Sequence, residues 1–85
     1  MSKRYVKIIA EFAEDGRITP LKLIWDDGQG YEITKILDVS RAASTVGGTG
    51  YRYEVIIEGK RRSLYLEDVV FNKAIGARFF VAAKE

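Results

Sequence analysis

The stretch "VKIIAEFAEDGRITPLKLIW" (residues 6–25) consists of two apolar-rich runs hinged on Asp15-Gly16. Asp-Gly between alternating hydrophobic residues is a strong local signal for a two-residue hairpin turn. Placing the turn there sets Glu14 opposite Arg17, Phe12 opposite Thr19 and Ala10 opposite Leu21. Ile8 then meets Leu23, and Val6 meets Trp25. Residues directly opposite in an antiparallel pair share a face, so one face is almost wholly apolar. The other face carries Lys7 with Ile24, Ile9 with Lys22 and Glu11 with Pro20. A slip of one residue would mix the two sets, because side chains alternate along a strand. Pro20 has no N–H to give to the ladder, so a bulge or bend is expected beside it.

The same reading extends outward. A three-residue loop at Asp27-Gly28-Gln29 places Trp25 opposite Tyr31 and Leu23 opposite Ile33. Leu37 and Val39 keep the parity of Ile33, but Lys35 interrupts it and Ile36 points the other way. This predicts a strand that bends or bulges. After a connection, "RAASTVGGTG" (residues 41–50), comes a second hairpin, "YEVIIEGKRRSLYLED" (residues 53–68). Gly59-Lys60 as a type II′ turn pairs Val55 with Leu64, Tyr53 with Leu66, Glu58 with Arg61, Glu54 with Tyr65 and Arg52 with Glu67. "ARFFVAAKE" (residues 77–85) reads as a closing strand. "DVVFNKAIG" (residues 68–76) fits a helical turn or an irregular connection equally.

Five to six short antiparallel strands in meander order predict an all-β fold, either a small SH3-like barrel or a strongly curled sheet. Closure would remove the exposed edges that a small β protein otherwise has to guard. The predicted core is Val6, Ile8, Ala10, Phe12, Leu21, Leu23, Trp25, Tyr31, Ile33, Leu37, Val39, Tyr53, Val55, Leu64, Leu66 and Val81.

Composition narrows the function classes. Eighty-five residues make one domain, spanning 1–85, that buries a little over ~60% of its unfolded surface. At 47% hydrophobic and 31% charged, the chain has ordinary globular composition. No apolar run approaches the ~20 residues of a membrane span. The basic start is followed by a short apolar stretch broken at Glu11, unlike a signal peptide. A cytoplasmic location is expected, with no membrane contact. The sequence has neither cysteine nor histidine. A disulfide framework is therefore ruled out, and the commonest general base and transition-metal ligand is missing. No cofactor is expected. The net charge of +2, fourteen Lys and Arg against twelve Asp and Glu, is too small for a strong long-range field.

Lys60-Arg61-Arg62 is the main feature that invites a functional reading. Its plain reading is a solubilised hairpin tip: Arg61 paired with Glu58, Lys60 in the turn, Arg62 opposite Ile57 with its stem over the barrel mouth. Its functional reading is a phosphate-contacting tip. Exposed aromatic rings would strengthen that, since bases stack on them. Tyr51 and Tyr65 are the candidates. The nucleic-acid candidates are Arg41, Arg52, Lys60, Arg61, Arg62 and Tyr65. No RNP-like or KH-type motif accompanies them.

Other constellations read as structure. "GGTG" (47–50) lacks the Lys-Ser/Thr of a phosphate loop. Asp26-Asp27-Gly28 lacks the alternating acidic ligands of a calcium loop. Glu67 and Asp68 point to opposite sides of a strand. Ser40, Ser44 and Ser63 have no histidine to activate them. No catalytic group is identified, so the expectation is a protein without enzymatic activity. Ile9, Ile24, Ile36 and Ile56 fall opposite the core. Either the 68–83 segment covers them, or they form a contact for a protein partner or a second copy.

Pro20, Trp25, Asp27-Gly28, "YEI" (31–33), "ILDV" (36–39), "GGTG", "RYEV" (52–55), Gly59-Lys60 and "LYLED" (64–68) together resemble a family of small uncharacterised bacterial β-rich proteins. The likeness covers roughly residues 20–81, judged from turn and strand signatures. It implies a stand-alone β domain and supplies no site residues. The expected function is a non-enzymatic binding module with nucleic acid as the first ligand class. The alternative is a protein-interaction or homodimeric module using the isoleucine face.

Overall fold

The computed structural model describes residues 2–43, 49–71 and 74–83. Alternating sequence becomes six strands: β1 (Ser2–Phe12), β2 (Ile18–Ile24), β3 (Gly30–Ala43), β4 (Thr49–Ile57), β5 (Lys60–Phe71) and β6 (Ala74–Ala83). Each strand pairs with the next, and β6 pairs with β1, giving a closed antiparallel barrel in meander order. Residues 68–76, expected to be helical or irregular, instead extend β5 and begin β6 on the described positions. Ser44 and Gly47-Gly48 of the 41–50 connection lie outside the described residues, as do residues 72–73.

The turns differ from the sequence reading, and in two of the three the faces survive. The first hairpin has a three-residue loop, Glu14-Asp15-Gly16. The Ala13 N–H donates to the Arg17 carbonyl, and the Gly16 N–H donates to the Ala13 carbonyl, each at 2.9 Å. Gly16 sits at φ 93°, the left-handed position that ends this loop type. The second loop repeats the design one position earlier than expected. It comprises Asp26-Asp27-Gly28, with Trp25 opposite Gln29 and Gly28 at φ 83°. Leu23 therefore pairs with Tyr31 rather than Ile33. In the β4–β5 hairpin the turn is Glu58-Gly59, both at positive φ (52° and 73°), and Ile57 meets Lys60. This is a type I′ turn with glycine second, whereas the sequence reading put glycine first. Tyr53 accordingly pairs with Leu64 and Val55 with Arg62. Both of the later corrections are shifts of two positions, which leave every side chain on its expected face.

The β1–β2 correction is a shift of one, which would turn the sheet inside out. A bulge at Leu21 absorbs it. Phe12 pairs with Ile18, Glu11 with Thr19 and Ala10 with Pro20, yet Ile9 pairs with Lys22 and Ile8 with Leu23 as expected. The extra residue falls next to Pro20, where the missing N–H makes a ladder irregularity cheapest. Ile18 packs against the core, Pro20 is buried, and Leu21 is exposed, contrary to its assignment as core.

Two more bulges bend β3, at Thr34 and at Leu37. Each reverses parity once. The inward series is therefore Tyr31, Ile33, Ile36 and Val39 rather than a strict alternation. Ile36 pairs with Val55 and packs against the core, and Leu37 is exposed. Val39 lies opposite buried Tyr53 but remains half exposed. β2 pairs β3 only through Lys22–Ile24, so it does not cover the later part of β3. Phe12, at the hairpin end of β1, is 73% exposed and is not core.

Apart from Ala10 and Phe79, the remaining core matches its prediction. Leu23, Tyr53, Val55, Leu64 and Leu66 are buried. Phe79, absent from the predicted core, is buried with them, and Ala10, predicted as core, is only half-buried and outside the cluster. Val6, Ile8, Trp25, Tyr31, Ile33 and Val81 pack around them, only partly buried. Phe80 is also buried, but on the outside of the barrel, in the outward-facing row shared by Tyr5 and Tyr65. The Tyr65 ring stacks on Phe80 at 5.1 Å and the Tyr5 ring meets it edge-on at 5.8 Å.

Candidate nucleic-acid interface

One end of the barrel gathers the 26–28 loop, the 58–59 turn, the start of β1 and the end of β6. Inward-facing residues at this end have no further layer above them. They therefore line an opening rather than a sealed core. The opening is a cavity of about 590 Å³ lined by Leu23, Trp25, Tyr31, Ile57, Leu64 and Val81 together with the charged residues Glu58, Lys60, Arg61 and Arg62. Tyr31 lies directly across from Leu23, and Arg62 lies across from Val55 on the inward parity of β5. The Arg4 guanidinium sits 4.5 Å from the Trp25 ring centre and bonds the Asp26 carboxylate, which holds the indole in place from one side.

The basic triplet divides into two roles. Arg61 does not pair with Glu58, which occupies the turn. Its Nε donates to Glu54 at 2.9 Å. The Ser63 hydroxyl donates to the other Glu54 oxygen, and Arg52 adds an ion pair at 3.2 Å. Glu54 is only 8% exposed beneath these groups. The Ser63 hydrogen bond, followed by that of Arg61, holds its carboxyl below the ordinary range. Lys60 and Arg62 have no carboxylate partner among the described residues, so their charge faces solvent at the mouth.

The other sequence candidates lie elsewhere. Arg52 and Tyr65 are direct cross-strand neighbours on the outer face, away from the mouth. Arg52 is engaged by Glu54, and Tyr65 by Phe80. Arg41 pairs with Tyr51 toward the opposite end of the barrel. A second carboxylate hub stands on the outer face. Glu67 accepts from Lys3 Nζ at 2.9 Å, Tyr5 Oη at 2.6 Å and Arg78 Nε at 2.8 Å. The Tyr5 hydroxyl does most to hold Glu67 down, to about 2, and Glu67 in turn raises Tyr5. Glu54 and Glu67 thus neutralise part of the outer face. The mouth brings Lys60 and Arg62 together with the rings of Trp25 and Tyr31. Arg41 beside Tyr51, which is 43% exposed, is a second place where a cation meets an open ring.

Trp25 and Tyr31 are the site residues that sequence reasoning missed, because it placed both in the core. Their signal was position: each sits at a strand end against a Gly turn, the place where an inward side chain reaches the rim. The isoleucine face is also smaller than expected. Ile9 is 47% exposed and Ile24 and Ile56 are half-buried, but Ile36 belongs to the core side. Among the described residues no helix is long and apolar enough to cross a membrane. No protein-family model, curated protein or solved structure matches the chain. The functional reading therefore rests on the geometry of the mouth.

Proposed function

We propose that the protein is a non-enzymatic binding module that takes nucleic acid at the open end of its barrel. One observation carries this reading: Lys60 and Arg62 line the same cavity as Trp25 and Tyr31. Cations neutralise phosphates, and aromatic faces stack bases, so the two ligand chemistries of a nucleotide meet in one place. Small net charge makes the attraction short-ranged and the affinity modest. An amide-shift titration with short single-stranded DNA and RNA at low salt tests it. Shifts are expected at Trp25, Tyr31, Lys60 and Arg62. A spectrum unchanged at low salt, where electrostatic binding is strongest, overturns the reading.

A further inference from the structure

The geometry points to an unpaired base as the group that enters the mouth, so that the protein selects single-stranded over duplex nucleic acid. This rests on the nucleic-acid reading and specifies what that site accepts. The cavity of about 590 Å³ is within the ~300–1,000 Å³ range of sites that engulf a small ligand. Its lining combines apolar Leu23, Ile57, Leu64 and Val81 with the rings of Trp25 and Tyr31. A paired base is stacked and hydrogen-bonded inside its helix and cannot present a face to a concave pocket. A duplex would meet only the rim. There it would find Lys60 and Arg62 beside the repelling carboxylate of Glu58, since Arg61 is held by Glu54. Two rim cations give little binding by themselves at physiological salt. An unpaired base can enter, stack on the rings and leave its phosphate at the rim.

The chain has a single tryptophan, Trp25, so its fluorescence reports the mouth directly. The full chain is titrated with three probes of equal phosphate count: a single-stranded oligothymidylate of about sixteen nucleotides, an abasic strand of the same length, and a G·C-rich hairpin duplex closed by a non-nucleotide linker, so that none of its bases is unpaired. The single strand is expected to quench Trp25 and to bind about tenfold more tightly than the abasic strand or the duplex, the worth of roughly one stacked base. Tyr31→Leu, which keeps apolar bulk, is expected to remove most of that tenfold preference while leaving the weak abasic binding intact. If Tyr31→Leu does not fold, the wild-type comparison of single strand and abasic strand decides alone. Equal affinity for all three probes overturns the base pocket and leaves the nucleic-acid reading standing. Absence of binding to any probe at low salt overturns both.

Discussion

The carboxylate of Glu54 accepts a hydrogen bond from Arg61 Nε at 2.9 Å, and the two residues lie seven positions apart on neighbouring strands. This pairing separates the basic triplet into one structural cation and two open ones. Replacing Lys60 and Arg62 together with Gln should weaken binding to single-stranded DNA across sequences. It should also lower the salt slope by about 1.4, at ~0.7 per phosphate contact. Arg61→Gln should leave the slope unchanged and lower the melting temperature slightly, because Glu54 loses a partner. A slope that falls as much for Arg61→Gln as for the double variant would refute the division.

The Glu67 hub predicts an acid-sensitive contribution to stability. Its folded value of about 2 lies below the ordinary 4.5, so the folded state favours the ionised form. The stabilisation is fully present above about pH 4.5 and disappears as pH falls toward 2. Glu67→Gln should lower stability at pH 7 and flatten the profile across that window. Tyr5→Phe, which deletes the largest cause, should raise the Glu67 titration midpoint in carboxyl-detected NMR. Superimposable acid-unfolding curves for wild type and Glu67→Gln would exclude the hub as a contributor.

Gly50 is buried where β4 passes β5, opposite Glu67. A Cβ built there would stand 2.7 Å from the Leu66 carbonyl oxygen, which is backbone and cannot swing aside. Gly50→Ala should therefore destabilise the barrel, by roughly 1–3 kcal/mol as overpacking does. Chemical denaturation measures it. A neutral result would show that β4 and β5 separate more easily here than their register implies.

Leu64 and Leu37 test which leucines make the core. Leu64 is 1% exposed and Leu37, the bulge residue of β3, is 40% exposed. Leu64→Ala should cost about 2–5 kcal/mol through lost transfer energy and the cavity left behind. Leu37→Ala should cost less than about 1 kcal/mol, as exposed positions do. Equal losses in urea unfolding would mean that the β3 bulge is misplaced.

The sequence by itself determined the faces. Val, Ile, Leu and Tyr recur at a period of two around Gly turns, so Ile8, Leu23, Tyr53, Leu64 and Leu66 could be assigned inward without a structure. Alternation reports parity, however, and not register. A shift of two positions, as at Glu58-Gly59, changes every cross-strand partner and no face. That is why the core was legible while the Arg61 partner was not. Bulges are the converse case. Leu21, Thr34 and Leu37 each add one residue and reverse parity. Pro20, which lacks a donor, signals the first, and the parity break at Lys35 and Ile36 signals that β3 bulges, but neither pattern locates the extra residues. Hence Leu21 and Leu37 read as core and are exposed, and Ile36 reads as surface and is covered. Closure decided the rest. Trp25 and Tyr31 point inward in any register, but only the meeting of β6 with β1 fixes where the barrel ends. That meeting makes them part of the lining of an opening that Lys60 and Arg62 share.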